Sequence, residues 1–389
     1  MLPWPLRRPT YNRSMPTPDV CVRGSGAVAH VAALVLARQG LQVVLQRRAA
    51  RGAGEDVRAY ALNAASVALL ERLQVWATLP ADARTPVYDM HVEGDAQGAA
   101  IDFSAWQQGV DALAWIVDTP ALEQALHQAA GEASNLHCVE VDDGADGADT
   151  PAALQLLCEG RDSAARTRLG VAMPLHPYDQ HALAARLVAT QDHAGLARQW
   201  FRAPDVLALL PLDRPQPGCS YALVWSLPQE RAAELMLLRA EAFESALFDA
   251  SGGAVGPLRL ASERAQWPLA LARAERVCGP GWALLGDAAH LVHPLAGQGL
   301  NLGLADVAAL ADVIAARESW RGLGELRLLQ RYARRRALPT LAMGQLTDGL
   351  LHLFASRQPL VRELRNRGLT LVNGVPVLKR ALTARALDA

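Results

Sequence analysis

Residues 19–46 read DVCVRGSGAVAHVAALVLARQGLQVVLQ. A short β-type run, VCV, meets Gly24-Ser25-Gly26, an Ala-rich helical stretch follows as far as Gly40, and LQVVLQ is a second strand. This is a β-α-β unit with G-x-G-x-x-A at its first turn. Gly24 allows the tight turn, Gly26 lets backbone approach a pyrophosphate, and Ala29 keeps helix and strand close. The helix N-terminus then faces the anion. The same pattern also fits a glycine-rich turn in any α/β domain. One element of the dinucleotide fingerprint is absent. The acid expected about 20 residues on, which would accept from ribose hydroxyls, is replaced by Gln46, followed by Arg47 and Arg48. A glutamine carbonyl accepts such a bond without charge assistance. Arg23 stands where a buried apolar residue is usual, and a 2′-phosphate on these arginines is an alternative reading.

The bulk numbers are compatible with a large α/β core. The 389 residues are 51% hydrophobic with a net charge of −1, which argues against nucleic acid as a partner. Charge is uneven: from Arg321 onward thirteen basic residues face four acidic ones. That tail reads either as a solvated helical face or as a contact for an anionic surface. Five scattered cysteines, none in a C-x-x-C pair, fit a reducing cytoplasm. Residues 1–18 read as a loose extension without a signal-peptide core, and no apolar run reaches the ~20 residues of a membrane span.

Strand-like alternation at 86–104 and 205–227 interrupts the α/β pattern twice, and beyond about 300 the chain reads as helical, broken at Pro339, Pro359 and Pro376. The expected fold is α/β: a Rossmann-like dinucleotide-binding domain with an inserted mixed β-sheet domain and a C-terminal helical region. In chain order, dinucleotide-binding parts at 19–85, 116–175 and 273–335 alternate with inserted-domain segments at 86–115 and 176–272. Helices at 336–389 follow.

A second stretch, GDAAHLVHPLAGQGLNLGL at 286–304, says what the first one binds. Asp287 ends a strand and precedes small residues, which suits a carboxylate accepting from a polyol chain. HPLAGQGLN delivers a turn with exposed N–H groups into a helix with a buried stripe at Leu304, Val307, Leu310 and Ile314. The positive end of that helix favours a ligand that becomes negative, as a reduced flavin does. FAD accounts for both stretches: pyrophosphate at Gly24–Ala29, ribityl at Asp287, ring at the 297–301 turn. His290 and His293 supply only two ligands of the three or four a metal needs, so no metal is expected.

GDAAHLVHPLAGQGLNLGLADVAALADV resembles the G-D box of FAD-dependent aromatic hydroxylases, and among them the ubiquinone-biosynthesis hydroxylase group (UbiH/Coq6-like monooxygenases). VRAYALNAASVALLERLQVW, YDQHALAARL, ARQWF, LALLPL, RYARRRA, LTDGLLHLF and RNRGLTLVN are similar to that group as well. The resemblance implies that Asp287 binds the ribityl, that Pro294, Gly297, Gln298, Gly299, Leu300 and Asn301 border the flavin ring, and that Arg58 contacts the cofactor. It also places Glu159 and Gly160, in CEGRDSAAR, near both FAD and an incoming nicotinamide, with Glu159 where the family has Asp. The implied reaction is hydroxylation of a phenolic ring, a polyprenylated ubiquinone precursor, with NAD(P)H and O2 through a flavin C4a-hydroperoxide. A soluble hydroxylase of small aromatic acids and a scaffold among other ubiquinone-biosynthesis proteins are the rival readings. The expected location is cytoplasmic and peripheral at the inner membrane face, through the basic C-terminal helices. Tyr178, His181, Tyr221 and Trp225 are candidates for the substrate wall, although each reads first as ordinary sheet packing, and no catalytic base is singled out. Because Arg23, Gln46 and Glu159 all depart from the pattern at the dinucleotide, weak FAD binding is expected.

Overall fold

A computed structural model describes residues 17–48, 56–94, 99–141, 150–292 and 298–355. The first unit forms as a strand Val20–Arg23, a helix Ala27–Arg38 and a strand Val43–Arg48. The two strands pair in parallel, with Val20 opposite Val43 and Arg23 opposite Gln46. Gly26 is the N-cap and no side chain caps that helix, so its first N–H groups remain for an anion. The helix is apolar nearly all round because it is covered nearly all round: helices Thr119–Glu132 and Gln298–Ala315 pack on it.

Six strands make the dinucleotide sheet, in the order Cys278–Gly279, Trp282–Leu284, Leu154–Leu157, Val20–Arg23, Val43–Arg48, Leu136–Val141. The last five run parallel. Their inner members are mostly apolar and buried, with polar residues such as Arg23 and Gln46 gathered toward the carboxyl ends. The first strand lies between Leu154–Leu157 and Val43–Arg48, so connections leave it in both directions and open a crevice at its carboxyl end. Gly24, Glu159 and Asp287 all follow the carboxyl ends of neighbouring strands at that crevice.

A nine-stranded mixed sheet forms the second layer, built around Leu175–Ala189, Leu196–Arg202, Asp205–Leu212, Ser220–Pro228 and Ala265–Arg273. Period-two alternation divides its faces. Leu183, Leu187, Leu209, Tyr221 and Trp225 pack beneath helices Gln229–Leu237 and Ala240–Ser251, with Phe243 and Leu247. The opposite face, with Ala184, Ala208, Leu210 and Val224, looks toward the dinucleotide sheet. Strands Ala59–Leu62, Ala114–Asp118 and Arg84–Val87 form a small antiparallel sheet.

One expectation is corrected. Pro339 does not break the chain: a single helix runs Leu326–Ala355 through it. A proline removes one hydrogen bond and strains one turn. That loss is outweighed by packing of the preceding turns, where Leu328, Leu329 and Tyr332 are in the core and the Tyr332 hydroxyl donates to Leu284 O at 2.8 Å. Pro359 and Pro376 lie outside the described residues.

Candidate flavin site and substrate wall

The glycine turn is dictated by its neighbours. Gly24 has φ +147°, and a Cβ there would lie 2.3 Å from Cys158 O and 3.1 Å from Ala29 Cβ. Ala29 thus sets the helix–strand distance from behind, fully buried. Gly26 is the converse case, since a Cβ there meets nothing within 4 Å and the space is open to a ligand. Ser25 Oγ accepts from Arg48 N at 3.0 Å, and His30 Nδ1 lies 3.0 Å from Gly26 O. These bonds fix the turn from both sides.

Each departure from the dinucleotide pattern has a local partner. Gln46 Nε2 donates to Thr150 Oγ1 at 2.7 Å, leaving Oε1 as the acceptor end of the amide. Arg23 and Glu159 form an ion pair, Nε to Oε1 at 3.4 Å. The other Glu159 oxygen accepts from Ser163 Oγ at 2.6 Å and Ala165 N at 3.0 Å, at the start of helix Ala164–Arg168. Glu159 is therefore occupied in holding its own segment. Arg166 ties that segment to the Gly286–Ala288 turn by donating to Ala288 O at 3.1 Å.

Asp287 sits in the turn Gly286–Ala288, exposed to the cavity. Desolvation by the surrounding protein raises its carboxyl above the ordinary value, while His290, Arg58 and Arg161 pull it back. Arg58 faces the same cavity, paired to Asp56 at 2.6 Å. Burial would raise Asp56, but the Arg58 guanidinium holds its carboxyl below the usual range. Behind the turn lies a network that sequence reading missed. Asp306, 1% exposed, accepts from Gly286 N at 3.0 Å, from His290 Nε2 at 2.7 Å and from Arg336 Nε at 2.6 Å. Burial would raise Asp306, yet His290 and Arg336 hold it below its ordinary value. The signal available was the i, i+4 position of Asp306 within the buried stripe of its helix, where a lone acid requires a partner.

The ring end is only partly described. Pro294 and Gly297 lie outside the described residues, and the helix begins at Gln298. Gly299 and Leu300 line the cavity. Asn301 turns its side chain away from it: Oδ1 accepts from Asn63 N at 3.0 Å and Ser66 Oγ at 2.7 Å, and Nδ2 donates to Ala61 O at 2.7 Å. It latches the first turn of its helix to helix Ala64–Arg72 and strand Ala59–Leu62.

These pieces enclose one cavity of about 680 Å³. One wall carries Gly24, Gly26, Gln46, Arg58, Glu159, Gly160, Asp287, Gly299 and Leu300. The other is the large sheet, with Ala184, Gln199, Val206, Ala208, Leu210, Val224, Ser226 and Trp267. The sheet wall sorts the aromatic candidates by face. Tyr221 and Trp225 occupy the alternate positions and pack under the helices, while Val224 and Ser226 face the cavity. Tyr178 and His181 are not among its lining residues.

The uncapped helix end, the open space at Gly26 and an unblocked path to Asp287 fit a dinucleotide with a polyol-linked ring. Joined to an apolar chamber, they define a flavoprotein of the oxidoreductase kind. The family profile described as FAD binding domain matches residues 17–345. Ubiquinone hydroxylase UbiL of Rhodospirillum rubrum is 30% identical, over 95% of this chain and 89% of its own. The 3-demethoxyubiquinol 3-hydroxylase of Escherichia coli is 30% identical, over 95% and 98%. Among solved structures, pqsL, a probable FAD-dependent monooxygenase from Pseudomonas aeruginosa, superimposes with a TM-score of 0.72 at 22% identity, covering 91% of this chain and 99% of that one. This likeness bears on the fold. The chain belongs to the FAD-dependent monooxygenases, in their UbiH/Coq6-like ubiquinone-hydroxylase group; FAD is its cofactor and NAD(P)H its electron donor.

Proposed function

We propose that the enzyme hydroxylates a neutral phenolic ring, a polyprenylated ubiquinone precursor. The observation that carries this is the sheet wall. Its cavity-lining residues are apolar or neutral, and the lining arginines Arg23, Arg48, Arg58 and Arg168 belong to the dinucleotide side. A small aromatic acid would lay its carboxylate against Ala208, Leu210 and Val224, where a buried unpaired charge is costly. The relatives named as ubiquinone hydroxylases support the same choice.

Reduced FAD supplies the electrons that activate oxygen for insertion into the ring. The chain's task is placement and dryness. Asp287 and the Gly24–Gly26 turn would hold the two halves of the cofactor. The uncapped start of helix Ala27–Arg38 would face its phosphates. The sheet wall would hold the ring and keep water out of the chamber.

A peripheral position at the inner membrane face would let the prenyl tail stay in lipid. Among the described residues no helix is long and apolar enough to cross a membrane. Helix Leu326–Ala355 presents Leu338 and Leu341, 73% and 41% exposed, just after Arg334 and Arg335. Apolar residues beside cations suit an anionic bilayer surface. The decisive experiment is turnover with NADH or NADPH and O2 on a prenylated phenol and on 4-hydroxybenzoate. Hydroxylated prenylphenol with little hydrogen peroxide is expected. Efficient, coupled turnover of the free acid alone would overturn the reading.

A further inference from the structure

Two polar side chains interrupt the apolar sheet wall, Gln199 and Ser226. Both line the cavity, and Ser226 is 3% exposed. Among the described residues, neither the Gln199 amide nor the Ser226 hydroxyl makes a side-chain hydrogen bond. A polar group facing an apolar chamber without a protein partner is costly unless something inside the chamber bonds it.

The strand register places them. Gln199 lies opposite Ala208, Ala208 opposite Val224, and Val224 opposite Ala184. Ser226 lies opposite Val206, one inward-facing step along the same strand as Val224. The two residues are thus two strands and two residues apart, about 12 Å between Cα atoms at ordinary sheet spacings. Between them the wall is made of Ala208 and Val224, short side chains that leave a shallow seat. Trp267, opposite Ala182 in the row of Ser226, closes one end.

We infer that Gln199 and Ser226 are specificity-determining residues that grip the substrate ring by oxygen substituents at opposite edges. A carboxamide and a hydroxyl each both donate and accept. They can therefore hold a phenolic hydroxyl at one edge and a hydroxyl or ether oxygen at the other. Two anchors fix how the ring lies on the Ala208–Val224 seat and so which carbon faces Gly299 and Leu300. The inference rests on the substrate reading above and adds the two residues that would read the ring.

The test uses FAD-loaded enzyme and two probes, a geranylated 4-methoxyphenol, whose hydroxyl and ether oxygens lie at opposite edges of the ring, and geranylbenzene, which lacks the ring oxygens. Binding is read from the perturbation of the visible flavin spectrum, and KM, kcat and peroxide formed per NADH are read from turnover. In the wild type the oxygenated ring binds more tightly. Gln199→Leu and Ser226→Ala each weaken the methoxyphenol about tenfold, the worth of one hydrogen bond in an apolar site, and leave geranylbenzene unchanged. Ser226→Thr, which keeps the hydroxyl, retains binding. Peroxide yield rises in Gln199→Leu because the ring is no longer held in one pose. If both Gln199→Leu and Ser226→Ala bind the methoxyphenol as the wild type does, the inference is wrong and the substrate reading stands. If the wild type itself does not prefer the oxygenated ring, both fall.

Discussion

Replacing Gln46 by Glu restores the acid that the dinucleotide pattern lacks, and it should tighten FAD binding. Gln46 is 5% exposed, lines the cavity, and has its amide nitrogen committed to Thr150 Oγ1 at 2.7 Å. Its remaining oxygen would accept from ribose hydroxyls if the adenosine half of FAD lies here. A hydrogen bond to a neutral acceptor contributes roughly 0.5–1.5 kcal/mol and one to a charged acceptor roughly 1.5–3. The exchange is therefore worth about 1 kcal/mol, or roughly fivefold in affinity. Burying the new carboxylate destabilises the FAD-free protein, although Thr150 can turn its hydroxyl to donate and Arg23 lies opposite in register. That cost does not reverse the sign. Ribose hydroxyls satisfy the carboxylate in the complex, so whatever strains the free form adds to the gain on binding. The assay is titration of the FAD-free protein followed by flavin fluorescence, with Thr150→Val as companion. Thr150→Val releases the amide and should weaken FAD severalfold while leaving FMN, which has no adenosine half, unaffected. Unchanged or weaker FAD binding by Gln46→Glu would refute the assignment of Gln46 to the ribose.

Three further outcomes follow from buried groups. Asp306→Asn keeps the shape but leaves Arg336 without its charge partner, and should cost about 3–5 kcal/mol in denaturant unfolding. Because the folded-state value of Asp306 lies below its ordinary value, its contribution is present above the usual carboxylate range and is lost as pH falls through the lowered value. The variant should lack that component. Desolvation lowers His30 to about 4 from 6.5, so the unfolded chain binds a proton there that the folded chain does not. Acidification from 6.5 to 4 should therefore cost about 3 kcal/mol, and His30→Leu should flatten that part of the stability profile. Gly24→Ala forces a Cβ against the Cys158 carbonyl at a positive φ. It should destabilise by about 2–3 kcal/mol and abolish FAD retention on gel filtration.

The turn at Gly24–Ala29 and the carboxylate at Asp287 were legible because each is a local device. Spacing of a few residues fixes a β-α turn or a strand end, and the backbone geometry follows. The same locality explains the helix after Gln298, whose stripe is written in its own 3.6-residue period. What the large sheet does with its two faces was not legible. Residues 220–228 are apolar at odd and even positions alike, so nothing in the string says that Trp225 meets Phe243 while Ser226 faces the cavity. A one-residue change of register would reverse them. Partners distant in sequence were equally hidden: Thr150 for Gln46, Glu159 for Arg23, and Arg336 with His290 for Asp306. Sequence alone pointed to a dinucleotide turn, to a carboxylate at a strand end and to one ligand joining them. Tertiary structure alone decided which face of the large sheet closes the cavity they share, because only packing of the two sheets sets which alternate residues look inward.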